Sequence, residues 1–313
     1  MDLLLTGYPG FLAGAIKDYF ENHKWSVDTL GLLDVPSNEK YRTGRHIKCD
    51  LANQIPDLPE KKYDLVIHAA GKAHVVPRTE EEKQSFFDVN VTGTEHLLSG
   101  LQNNPPKSIV FISSVAVYGI EKGEKIKEDA PLLAKSPYGR SKILAEQLIR
   151  ETSFSKPVTR GIVRLPLIAG KNAPGNLGSM INAIQKGFYF NVAGGKAARS
   201  VVLKEDIAPF LKALGEHGGT YNFTDQKGIT YASLYQEIRK HASCPRRPDL
   251  PYWFAWCLAL AGECLQYAIR HPVPLDFHRL EKLTNSLTFD SSLAEKDIPF
   301  VPRPVLDNIK EII

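Results

Sequence analysis

An apolar strand that runs straight into a glycine turn and then a helix constrains this chain more than any other feature. The run is Asp2-Leu-Leu-Leu-Thr6-Gly7-Tyr-Pro-Gly10-Phe11-Leu12-Ala13-Gly14, with helical residues on to Phe20. Its spacing is Gly-x-x-Gly-x-x-Ala. The first glycine allows the tight turn, the second lets backbone approach a pyrophosphate, and the third small residue lets helix pack on strand. The helix start adds N–H groups and the positive end of a dipole. A strand, turn and helix in this order predict a parallel α/β sheet that holds a dinucleotide.

The following residues continue that pattern. Short apolar runs at 3–5, 27–32, 47–49, 65–68, 109–113 and 158–163 read as strands, with helical stretches at Phe86–Leu101 and Tyr138–Thr152. Alternation of this kind predicts a doubly wound sheet with helices on both faces. After Gly170 the chain turns to Gly-, Asn- and Pro-rich loops and short helices. This predicts a dinucleotide-binding domain over 1–169 and a smaller α/β domain, mainly for substrate, over 170–313. A return strand is expected near 219–223.

The chemistry is carried by Ser136-Pro-Tyr138-Gly-Arg-Ser-Lys142 together with Ser113-Ser114 upstream. Residues four apart on a helix face the same way. A lysine ammonium beside a tyrosine favours the phenolate, whose reference pKa is about 10. Such a tyrosine can trade a proton with an alcohol or ketone. Ser114 can hold the same oxygen. With a hydride carrier at the glycine turn, these are the parts for alcohol–ketone redox chemistry.

Five motifs occur in order: Thr6-Gly7-x-x-Gly10-Phe11-Leu12-Ala13, His68-Ala69-Ala70-Gly71, Asn90-Val-Thr-Gly93-Thr94, Ser113-Ser114-Val-Ala-Val-Tyr118-Gly119 and Tyr138-Gly-Arg-Ser-Lys142. Together they resemble the extended short-chain dehydrogenases/reductases, the epimerase/dehydratase group that acts largely on sugar nucleotides. The resemblance implies a Rossmann domain with NAD, NADP being possible, and a homodimer. It implies Ser114, Tyr138 and Lys142 as catalytic residues, with Asn90 organising them. It also implies cofactor contacts from Gly7, Gly10, Phe11, Leu12, Asp50, Leu51, His68, Ala69, Ala70 and Pro166. Asp34 stands about where an acid bonds a ribose 2′-hydroxyl, a residue late by the strand's own count.

Sugar-nucleotide 4,6-dehydratases of this family resemble one another in a Thr-Asp-Glu motif where this chain has Ser114-Val115-Ala116. Neither Val nor Ala can move a proton, so reduction or epimerisation through a ketone is expected. The stretch from His68 to Val75, with Lys72 and His74, is similar to that of bacterial 4-ketoreductases acting on UDP-4-keto-6-deoxy-N-acetylhexosamines. Asn176 and Arg199 resemble residues that hold a nucleotide diphosphate, a role suited to a guanidinium. The leading expectation is a nucleotide-sugar 4-keto reductase of surface polysaccharide synthesis. A UDP-hexose 4-epimerase with retained NAD is the rival. A non-sugar ketone reductase and a silent cofactor-binding protein stand further off.

The rest of the sequence narrows the setting. A net charge of +4 without a basic block gives no reason to expect nucleic acid. Cys49, Cys244, Cys257 and Cys264 lack metal-ligand spacing, so no metal is expected, only buried thiols in a reducing compartment. No signal peptide is read, and the cytoplasm is expected. Residues 252–262 are uncharged and aromatic-rich but too short for the roughly 20 residues of a membrane span. A core helix is expected there, the sharper reading being a membrane- or partner-facing patch.

Overall fold

Leu3, Leu4 and Leu5 are fully buried, as a strand covered on both faces requires. The computed structural model describes residues 1–313 apart from 36–42, 74, 243, 245, 270–272 and 274, and of 267–269 only the backbone. The main sheet comprises β1 (Asp2–Thr6), β2 (Ser26–Gly31), β3 (His46–Lys48), β4 (Leu65–His68), β5 (Ser108–Ser114), β6 (Thr159–Leu165) and β7 (Gly219–Asn222). All pair in parallel, in the spatial order β3-β2-β1-β4-β5-β6-β7. The order reverses between β1 and β4, which opens a crevice at their carboxyl ends.

Helices cover both faces. In chain order they are α1 (Phe11–Asn22), α2 (Glu80–Phe87), α3 (Gly93–Gly100), α4 (Pro137–Glu151), α5 (Gly175–Gln185), α6 (Lys204–His217), α7 (Tyr231–Ala242), α8 (Tyr252–Ile269) and α9 (Phe277–Thr284). One layer buries Ile16 and Phe20 of α1 with Phe210, Leu211 and Leu214 of α6. The other buries Leu97 and Leu98 of α3 with Ala145 and Ile149 of α4. This is the doubly wound α/β sheet that the alternation predicts.

The expected helix over Phe86–Leu101 is interrupted. A π-turn, Asp88–Thr92, lies between α2 and α3 and carries Asn90 inward. Such bulges often mark functional positions. Helix α4 starts sharply because the Ser136 hydroxyl accepts from the Gly139 N–H at 3.2 Å and Pro137 takes the first helical position.

Residues beyond 170 build a second cluster, with Leu177, Ile181 and Ile184 of α5 against Leu234 and Ile238 of α7 and the C-terminal Val305 and Ile309. A small sheet ties this part back, since the strand Leu287–Phe289 pairs with Gly123–Ile126 and with Arg199. Two expectations fail here. The apolar 252–262 run is not a core helix: Ala255 and Ala259 are buried, but Trp253 is 68% exposed. Cys49 and Cys244 are buried, whereas Cys257 and Cys264 on the same helix are exposed. Among the described residues, no helix is long and apolar enough to cross a membrane.

Candidate active site

The glycine turn is a cradle that side chains would fill. Gly7 has φ +88°, and a Cβ there would sit 2.7 Å from the Ala70 nitrogen. A Cβ on Gly10 would sit 2.7 Å from the Gly7 carbonyl oxygen. Gly10 also caps α1 without any side-chain hydrogen bond, so the first N–H groups of Phe11 and Leu12 face the crevice uncovered by a cap. These features fit a pyrophosphate.

Next to the cradle, β4 ends in a buried chain of hydroxyls. Thr94 Oγ donates to the Asn90 carbonyl at 2.7 Å, so it must accept from His68 Nε2 at 2.9 Å. His68 Nδ1 is then an acceptor, and Thr6 Oγ donates to it at 2.7 Å while accepting from the Ala70 N–H at 3.0 Å. Each hydroxyl has one proton, which leaves a single tautomer. Burial, then the Lys142 charge, pushes the His68 imidazole down to about 3, so it is neutral. The His68 side chain thus braces the cradle and is not offered to a cofactor; Ala69 and Ala70 line it through backbone.

Asn90 is spent equally completely. Its Oδ1 accepts from the Lys72 N–H at 2.7 Å, and its Nδ2 donates to the Lys72 carbonyl at 3.1 Å and to Ser141 Oγ at 2.8 Å. Ser141 in turn donates to the Tyr138 carbonyl at 2.8 Å. Asn90 therefore bolts the segment after β4 to α4 between Tyr138 and Lys142. Gly71 belongs to this joint: a Cβ there would lie 3.1 Å from both Asn90 Oδ1 and Lys142 Nζ.

Tyr138, Lys142 and Ser114 converge at the carboxyl end of β5. Burial pushes the Tyr138 phenol above its usual value, against the pull of its hydrogen bond with Ser114. The lowering expected from Lys142 is not found: desolvation sets the direction, and the opposing pull comes from the Ser114 hydrogen bond. Lys142 is itself pushed down to about 8 by burial, with Glu146 one turn further on holding its charge. Among the described residues, its hydrogen-bond acceptor is the Ile112 carbonyl at 3.0 Å, and it lies 4.6 Å over the Phe111 ring. An ammonium has three donors. The surplus suits the hydroxyls of a ribose.

Other expected residues are placed differently. Asp34 lies beyond the end of β2, exposed and paired with Lys48 at 2.6 Å. The strand's last residue is Gly31, where a Cβ would sit 1.8 Å from the Tyr8 carbonyl oxygen. Packing of the turn on β2 forbids a side chain there, so an acid can only stand further along. Asp50 holds its own turn, accepting from the Ala52 N–H at 3.1 Å and Asn53 Nδ2 at 2.7 Å. Leu51 is buried beneath it. Pro166 directly follows β6. Lys72 Nζ donates to Ser85 Oγ at 2.6 Å. His74 lies outside the described residues.

Asn176 is exposed at the start of α5. Arg199 donates to the Asn285 carbonyl at 2.7 Å, to the Lys282 carbonyl and to Tyr231 Oη at 3.2 Å. It caps the end of α9, a contact that sequence spacing does not reveal. Sequence reasoning also missed Glu146. This carboxylate accepts from Ser113 at 2.6 Å, from Arg164 at 3.0 and 2.8 Å and from Arg150 at 2.7 Å. Two signals were available: the four-residue step Tyr138–Lys142–Glu146, and an arginine in the apolar strand β6.

Comparison with known proteins adds to this geometry. The family model described as "NAD dependent epimerase/dehydratase family" matches residues 3–223. The chain is 32% identical over 161 residues to an N-acetyl-alpha-D-glucosaminyl-diphospho-ditrans,octacis-undecaprenol 4-epimerase of Escherichia coli O157:H7, covering 50% of this chain and 48% of that protein. It is 33% identical over 121 residues to a UDP-glucose 4-epimerase of Lactobacillus helveticus, covering 39% of this chain and 36% of the relative. The chain spans about half the length of the first of these relatives and less of the second. The solved UDP-glucose 4-epimerase of Thermus thermophilus in complex with NAD superposes with a TM-score of 0.76 at 20% identity, over 100% of this chain and 97% of that one. At that identity the likeness speaks for the fold.

Proposed function

The chain belongs to the NAD-dependent epimerase/dehydratase family, and on that premise we propose that it is a 4-epimerase of a hexose carried on a diphosphate. The observation that carries this reading is Ser114, Tyr138 and Lys142 gathered beside the glycine cradle, with Val115 and Ala116 where a dehydratase needs acids. Both curated relatives bear the name of 4-epimerases, which supports it. NAD is the family's cofactor, and its oxidised ring supplies a hydride acceptor. Gly7, Gly10, Phe11 and Leu12 would hold its pyrophosphate, and Lys142 its nicotinamide ribose. Residues 1–169 would serve the cofactor and 170–313 mainly the substrate.

Within this reading Tyr138 moves the proton at the sugar O4, and Ser114 orients that oxygen. Lys142 keeps positive charge beside the phenol. Asn90 touches no reacting atom and positions the others. Asn176 and Arg199 would meet the diphosphate, Arg199 by giving up carbonyls at the end of α9. A UDP-linked sugar, a homodimer and a cytoplasmic setting complete the proposal.

Net reduction of a 4-ketone is the second reading. Two features favour it: the phenol held protonated, the form that donates to a ketone, and the segment after β4, similar to that of 4-ketoreductases. The test is to denature the purified protein and measure released nicotinamide. Near-stoichiometric NAD is the result expected of an epimerase, whose cycle never needs to release it. An empty site, with turnover of a UDP-4-keto-6-deoxy sugar by NADH or NADPH, would replace epimerase by reductase.

Acid–base behaviour supplies a further check. The Lys142 ammonium is present below about pH 8 and lost above it. Its charge favours the oxygen anion, so kcat/KM should fall along an alkaline limb beginning near pH 8. A profile still rising beyond pH 9 would contradict the role given to Lys142.

A further inference from the structure

Helix α8 is built inside out. Its buried side is made of small residues, Ala255 and Ala259 at 0% exposure, with Gly262, where a Cβ would lie 2.0 Å from the Leu275 carbonyl oxygen. They lie close against Val192, Leu280 and Leu275. The large apolar side chains point the other way. At 100° per residue, positions 253, 257, 260 and 264 form one outward line: Trp253, Cys257, Leu260 and Cys264. All four are exposed, and Phe254, Leu258 and Leu265 flank them. Over the 18 residues of α8 the one charge is Glu263, which accepts from the Phe277 N–H at 3.4 Å on the α9 side. A core helix would carry its bulk inward.

The surroundings are cationic. From Glu237 to Leu250 the sequence has four Lys or Arg residues, Arg239, Lys240, Arg246 and Arg247, against two acids, Glu237, which pairs with Lys240, and Asp249, so the excess is positive and is carried by the three arginines. Arg247 donates to the Gly187 carbonyl at 2.7 Å, which brings the chain at Phe188, 73% exposed, to the same corner. Leu250, two residues before α8, bridges to Val192 on that segment. Tryptophan and tyrosine beside basic residues on a helix that is not long and apolar enough to cross a membrane are the chemistry of an interfacial anchor. Such basic clusters are drawn to anionic headgroups.

We infer that the outward face of α8, with Phe188 and the basic residues Arg239, Arg246 and Arg247, docks this protein on an anionic lipid surface. The helix lies in the plane of the interface with Trp253 and Leu260 among the acyl chains, and Arg246 meets the headgroups. Helix α9 packs beneath α8, and its last carbonyls accept from Arg199. Docking therefore sets the proposed diphosphate site close to the lipid. This binding is independent of which C4 reaction the enzyme runs.

The test uses the full chain and vesicles of phosphatidylglycerol and phosphatidylcholine, or of phosphatidylcholine alone. Of the three tryptophans, Trp25 is buried and the other two lie on α8, so emission reports this helix. Flotation with the anionic vesicles and a blue shift are expected, with partition at least about tenfold above that for neutral vesicles. The double substitution Trp253→Ser, Leu260→Ser should lower partition about tenfold with the urea midpoint unchanged. Absence of flotation, or flotation indifferent to that substitution, overturns the inference. So does a dimer that the same substitution dissolves in a chain that ignores vesicles, because a second copy would then cover the face.

Discussion

Tyr138→Phe is expected to lower turnover by about 10²–10⁴-fold while NAD binding and fold persist. The substitution removes one oxygen. The ring stays, packed edge-on to Phe86 at a centroid distance of 6.2 Å. The bond lost is the one with Ser114, so the structural cost is small. On the proposed reading, what disappears is the group that would exchange a proton at the sugar oxygen, and neither Lys142 nor His68 can replace it. Lys142 is turned toward the Ile112 carbonyl, and His68 is enclosed and neutral. Turnover within a few fold of the native enzyme, with released cofactor unchanged, would remove Tyr138 from the chemistry.

Glu146→Gln is expected to be the most destabilising substitution near the site, by about 3–5 kcal/mol, because it leaves a buried guanidinium unpaired. Burial works to raise the Glu146 pKa, but hydrogen bonds and charge from Arg164, with Ser113 and Arg150, win and hold it below the usual range. Arg164 continues the network, donating to Tyr118 Oη at 3.0 Å and to the Glu128 carbonyl at 2.9 Å. Tyr118 donates to Asn222 at 2.7 Å, and Asn222 donates to the carbonyls of Ile126 and Asp290, each at 3.1 Å. One carboxylate thus joins α4 to the strands that carry the C-terminal third of the chain.

The sign of the pH dependence follows from that lowered pKa. A carboxylate with a depressed folded-state pKa contributes stability above its unfolded pKa, about 4.5, and loses it as pH falls through the folded value. The gap between native protein and Glu146→Gln should be full at neutral pH, begin to narrow below about pH 4.5 and keep closing as pH falls through the folded value. Urea unfolding at pH 7 and at a series of pH values below about 4.5 measures the difference. A gap that stays constant across that series would show that the stability came from shape and not from charge.

The cradle was legible from the sequence because its cause is local. Gly7 needs a positive φ, and Gly10 must leave room for the carbonyl three residues earlier; both are decided within one turn of chain. Strand spans were equally readable, since a strand buried on both faces must be apolar throughout. Tyr138 and Lys142 were readable as a pair because helical spacing alone puts them on one face.

Distant partners were not readable in this way. The tyrosine's pKa direction was misjudged because spacing reports the lysine's charge but says nothing of desolvation. Asp34 was placed by counting, yet its distance from the crevice depends on Tyr8 pressing against Gly31. Helix α8 was expected in the core because its composition is apolar. Composition does not say which side is covered, and here Ala255 and Ala259 take the inside.

By itself, then, the sequence determined the doubly wound sheet, the dinucleotide turn and the Ser114–Tyr138–Lys142 set, all written in short-range spacing. The tertiary structure decided the neutral tautomer of His68, the Glu146–Arg164 bond and the outward face of α8. The reason is that burial and pairing are properties of neighbours brought together from far along the chain, and such neighbours exist only once it has folded.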